Sequence, residues 1–169
     1  MSQANLKNPK VEAIRRDLRQ SYEALKQLVA GSLAQLSEER LYVSPGGEEW
    51  TIMENLAHIV ELMYYWADEI KVLVAQPGKN FGRTQQHEGR LSAIREHRRD
   101  SLGQVSAALP GSYAYLDGVL ADLNDSDLGV TGVHVRYGEQ TLAWFIEEFV
   151  TGHMQAHVGQ VQAALAALG

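Results

Sequence analysis

The sequence predicts an all-α protein, a four-helix bundle. Apolar residues recur at helical spacing in four separated regions of the 169 residues. Pro-Gly pairs and Asn/Asp-rich turns lie between those regions, and only one short stretch carries an extended pattern.

The first stripe, Val11, Ile14, Leu18, Tyr22, Leu25, Leu28 and Val29, predicts a helix over about 8–31, ended by Gly31. The mixed stretch to Gly47 reads as a loop anchored on the core by Leu33, Leu36 and Leu41. Thr51-Ile52-Met53-Glu54 is a capping box, in which a hydroxyl caps the free amides and a glutamate three residues on reaches back. The stripe Leu56, Ile59, Val60, Met63, Trp66, Ile70, Leu73, Val74 carries this second helix to about Ala75, and Pro77-Gly78 stops it. Residues 86–108 and 113–123 both favour helix. Pro110-Gly111 between them predicts one broken or kinked third region. Asn124–Asp127 is a turn cluster, and Val130, Val133, Val135 and Tyr137 with Gly132 and Gly138 suggest a small hairpin. Thr141 caps a last helix over about 142–167. The length suits a single domain over 1–169.

Composition removes several functions. A net charge of −6 argues against nucleic acid as a partner. The basic cluster Arg95, His97, Arg98, Arg99 is diluted by Glu88, Glu96 and Asp100 and reads as a solvated helix face. With no cysteine there is no disulfide, thiolate ligand or cysteine nucleophile. No apolar run approaches the roughly 20 residues that span a bilayer, and the N-terminus lacks a signal-peptide core, so the expectation is a cytoplasmic protein that binds no membrane.

The chemistry-bearing residues are histidines. His153 and His157, four apart on the last predicted helix, leave one face about a turn apart beside the apolar stripe. His58 borders the stripe of the second helix. Three imidazoles among apolar neighbours are costly unless each ring nitrogen has a partner. One metal ion is such a partner; the alternative is three unrelated histidines bonded to carbonyls or solvent. His87, His97 and His134 read as surface or loop residues.

Trp50-Thr51-x-x-Glu54-x-Leu56-Ala57-His58-Ile59 resembles the second-helix signature of DinB/YfiT-like proteins. Gly138-Glu139-Gln140-Thr141 through His153-x-x-x-His157-Val158-Gly159-Gln160-Val161 resembles that family's last helix. The resemblance runs from Leu18 to Leu165, although the middle third matches only in length and helical character. It implies the DinB-like four-helix bundle and a divalent metal held by His58, His153 and His157. Neutral nitrogen ligands suit Zn²⁺, Ni²⁺, Co²⁺ or Fe²⁺ rather than Mg²⁺ or Ca²⁺, and three protein ligands leave positions open for water or substrate.

Glu54 has two readings: completing the capping box, or acting catalytically beside the metal by orienting His58 or serving as a base. Glu61 and Gln160 are weaker candidates for contacts near the site, and Trp50, Tyr64, Tyr65, Trp66, Trp144 and Phe145 are core or pocket aromatics. The resemblance implies a small-molecule substrate and two chemistries. One is S-transfer from a low-molecular-weight thiol such as bacillithiol, mycothiol or glutathione; the other is hydrolysis. It also implies a homodimer. A metal-binding bundle without turnover is the non-enzymatic alternative.

Overall fold

The computed structural model describes residues 7–168. Helix α1 (Pro9–Ala30) starts with proline at its first position, where the missing amide costs no helical bond. Its free amides are capped by a side chain more than 100 residues further along the chain. Lys10 N and Val11 N donate to Asp125 Oδ1 over 3.1 and 3.0 Å, while Asp125 N donates to Asn8 Oδ1 over 3.2 Å. The loop that follows contains a 3₁₀ turn (Leu33–Gln35) and a short helix α2 (Glu38–Leu41), and Leu33 and Leu41 are buried as the sequence implies. Helix α3 (Ile52–Ala75) opens with the Thr51–Glu54 capping box and supplies the most heavily buried face of the chain.

The third helical region differs from expectation. Helix α4 (Glu88–His97) ends before Asp100, and α5 (Leu102–Ala121) begins with a second capping box: Ser101 Oγ accepts from Gln104 N and Gln104 Oε1 from Ser101 N. The break therefore lies at 98–101, and α5 continues through Pro110. Burying Val105 and Leu109 on one side of the proline and Leu116 and Leu120 on the other stabilises by roughly 1.5–3 kcal/mol each. Together these exceed the about 3 kcal/mol that an interior proline costs. Gly111 has a packing role instead, since a Cβ there would stand 3.2 Å from the Tyr64 hydroxyl of α3.

Strands β1 (Thr131–His134) and β2 (Gly138–Thr141) form the hairpin, in antiparallel register from Thr131 opposite Thr141 to His134 opposite Gly138. Its outer edge pairs with the segment after α3, where Phe81 N donates to Val133 O over 2.9 Å. Thr141 Oγ1 accepts from Trp144 N and starts the last helical rod. That rod is α6 (Leu142–Ile146), a π-helical turn (Glu147–Thr151) and α7 (Gly152–Leu168). Four helices close a ring: α3 packs on α5, α5 on α1, α1 on α7 and α7 on α3. Leu18, Leu25, Ile52, Leu56, Ile59 and Phe145 lie in its fully buried centre. Among the described residues no helix is long and apolar enough to cross a membrane.

Candidate metal centre

His58 comes from the second turn of α3, and His153 and His157 from the start of α7. Packing of α3 on α7 brings the three together, with His58 and His157 buried and His153 half-buried. Their Nε2 atoms converge: His153 Nε2 lies 3.0 Å from that of His157 and 3.3 Å from that of His58. A common ion with bonds of about 2.0–2.1 Å would set such edges at about 3.3 Å in tetrahedral and about 2.9 Å in octahedral geometry.

The outward nitrogens fix the tautomers. His157 Nδ1 lies 2.9 Å from Asn55 Oδ1, and the Asn55 amide is oriented by donation from Nδ2 to Thr51 O over 3.0 Å. Because the asparagine presents its oxygen, His157 carries its proton on Nδ1 and its lone pair on Nε2. His58 Nδ1 faces Glu61 Oε2 at 3.3 Å, out of line for a hydrogen bond, so it is in contact with the carboxylate but not bonded to it. That charge favours the proton on Nδ1 here too. Two Nε2 lone pairs then face His153 Nε2, which has at most one proton to share between them. A cation resolves this frustration, and the donor set fits a divalent transition ion.

Burial also favours neutral ligands. It pushes His157 down to about 3 and His153 down to about 4, with the neighbouring imidazoles adding to both. Burial lowers His58 as well, against the opposing pull of Glu61. Glu61 is itself held by Arg83, through contacts of 2.6 Å to each oxygen, and Arg83 lies on the Tyr65 ring at 3.7 Å. Trp50 stacks on His157 and meets His58 edge-on, covering the site from the α2–α3 loop.

Glu54 sits in the capping box: Oε2 accepts from Thr51 N over 3.0 Å, and Oε1 stands 3.6 Å from Arg98. Gln160 and Trp50 line a cavity of about 520 Å³ beside His157. A second cavity, of about 370 Å³, opens over His58 and His153 and is walled by Trp66, Tyr137 and Phe149. A larger groove of about 750 Å³ between α1 and the last rod has no histidine in its walls, so size does not mark the chemistry here.

His134 is not a surface residue. It is buried on β1, accepts from Arg136 N at Nδ1 over 3.1 Å and faces Arg83 O at Nε2. The sequence reading also missed Asn55, Arg83 and Arg90. Asn55 serves His157 on another helix rather than His58 three residues on, so no spacing within α3 marks it; Arg83 lies in a loop and Arg90 in a stretch legible only as helix-favouring.

A family model for the DinB superfamily matches residues 9–161. The chain belongs to the DinB superfamily. Among solved structures, YfiT from Bacillus subtilis is similar, with a TM-score of 0.75 and 13% identity, covering 97% of this chain and 90% of that one. YfiT is described as a probable metal-dependent hydrolase with an unusual four-helix bundle topology. The mycothiol-dependent maleylpyruvate isomerase is also similar, with a TM-score of 0.64 and 12% identity over 94% of this chain. This DinB-superfamily chain spans 60% of that enzyme's length. Among curated proteins no sequence matches.

Proposed function

We propose that this DinB-superfamily protein is a metal-dependent enzyme whose ion is held by His58, His153 and His157, and that it transfers a low-molecular-weight thiol to an electrophile. The observation that carries the metal reading is the convergence of three Nε2 atoms, with the outer nitrogens of His157 and His58 facing Asn55 and Glu61. Support for thiol chemistry comes from the bundle shared with a mycothiol-dependent enzyme. A divalent transition ion bound there acidifies a thiol or a water at its open positions.

The protein's own groups prepare that chemistry. Asn55 Oδ1 holds the His157 proton on the outer nitrogen, and Glu61 does the same for His58 by charge. Trp50 packs against the His58 and His157 rings and restricts their movement. The cavity over His58 and His153 leaves one side open to a small molecule. Glu54 enters the proposal as the cap that starts α3 one turn before His58.

Hydrolysis by the same centre is a second reading, supported by the description of YfiT, whose bundle this chain covers almost end to end. Zinc- or nickel-loaded protein, assayed with a panel of thiols and a generic electrophile, separates the two. Metal-dependent conjugation with one thiol is the expected outcome. Loss of ester or amide substrates with no thiol consumed would replace transfer by hydrolysis.

A further inference from the structure

The cavity over His58 and His153 carries charge that the metal reading does not use. Three arginines line it, in a protein whose net charge is −6. Arg83 contributes no free charge because Glu61 binds it through both oxygens. Arg90 and Arg136 differ: among the described residues neither makes an ion pair. Arg90 Nη1 donates to Gln85 O over 3.0 Å, and its guanidinium lies 4.9 Å from the Trp50 ring centroid. These contacts hold the head group at the cavity without neutralising it. Burial and the nearby Arg83 both work against its charge, and the pull of Glu61 only partly opposes them. An arginine does not escape such a position by losing its proton, so the unmet demand is for an anion. Arg136 also lines the cavity, exposed on the hairpin turn with its guanidinium 5.4 Å from the Tyr137 ring centroid. Glu148 is the one carboxylate in this lining, and it is exposed.

The same cavity has aromatic walls. Trp66 and Phe149 stack at 4.7 Å, and Tyr137 lies 5.8 Å from Phe149. We propose that this cavity binds a small carboxylate with a flat apolar body, its carboxylate taken by Arg90 and Arg136 and its body laid on Tyr137 and Phe149. The planar fork of arginine matches a carboxylate through paired hydrogen bonds. A volume of about 370 Å³ suits a molecule of one ring or its acyclic equivalent. The proposal deepens the enzymatic reading by naming the substrate class of the same site, but the anion subsite stands on residues outside the three histidines.

The test is calorimetric titration of zinc-loaded and metal-free protein with benzoate, its neutral isostere benzamide, and inorganic phosphate. Benzoate is expected to bind both forms, and benzamide at least about tenfold more weakly, as expected when charged hydrogen bonds are lost. Arg90→Gln and Arg136→Gln are each expected to weaken benzoate about tenfold while zinc content, by elemental analysis, and helix content stay at wild-type values. Benzoate binding that is unchanged in both variants, or absent from the wild type, overturns the proposal. Phosphate binding as tightly as benzoate overturns the choice of a carboxylate with an apolar body. Arginine-dependent benzoate binding in a protein that retains no zinc supports the subsite and defeats the metal reading instead.

Discussion

His157 Nδ1 and Asn55 Oδ1 meet at 2.9 Å across the α3–α7 interface, and the asparagine is locked by its own helix through the Thr51 carbonyl. The pair joins the start of one helix to the tautomer of a residue on another. Asn55→Leu keeps the volume but removes the acceptor and frees the ring to flip. Metal affinity is expected to fall about 10–100-fold, the usual effect of losing such a partner. Competition titration against a chelator measures it, and an affinity within twofold of wild type would remove Asn55 from the site.

His157→Ala removes a ligand rather than its support. Most bound metal is expected to be lost while helix content is largely kept, because Val158, Val161 and Ala164 continue to bury α7. Elemental analysis of protein purified without an affinity tag, with circular dichroism alongside, is the measurement. Full metal content in this variant would end the three-histidine assignment.

Glu54 separates capping from catalysis. Glu54→Ala breaks the reciprocal bond to Thr51 N and is expected to cost about 1 kcal/mol of stability, in the range of lost helix caps. Metal content is expected to stay unchanged. If turnover of the loaded enzyme disappears while stability is untouched, Glu54 is a base and not a cap.

The metal-free protein is expected to lose stability on mild acidification. His157 and His153 are held at about 3 and about 4 in the folded chain, below the about 6.5 of an unfolded histidine. Between those values the unfolded chain binds more protons, so stability is complete above about pH 6.5 and falls as pH drops through the window. Denaturant midpoints measured from pH 7.5 to pH 5 should decline in the wild type and decline less in His157→Gln. Parallel curves for the two proteins would contradict the burial-driven shift.

The bundle was legible because it rests on periodicity. Spacing set the three histidines beside apolar stripes but left a shared ion and three unrelated side chains both open, and it was the family resemblance that implied one ligand set. Stripes at helical spacing marked α1, α3 and the last rod, and the Thr51–Glu54 box marked the start of α3 to the residue. The third region was misread because Pro110 is a strong local signal that Leu109 and Leu116 overrule through packing, whereas Ser101-x-x-Gln104 is a quieter one that decided the boundary. His134 looked like a loop residue because the strand that buries it is four residues long and depends on α3 for its cover. Asn55 and Arg90 have meaning only once α7 and the 82–87 loop are placed beside α3, and no spacing within one segment encodes that.

The wide turn at Glu147–Thr151 lets one continuous rod obey two sets of neighbours. Gly152 N reaches back to Glu147 O, and a Cβ on Gly152 would come within 2.7 Å of that oxygen, so the bulge is seated on a residue without a side chain. Each residue in a helix turns the chain by about 100°. Shortening the rod by one position there would leave Phe145 and Ile146 in the core but swing both downstream imidazoles a quarter-turn or more away from His58.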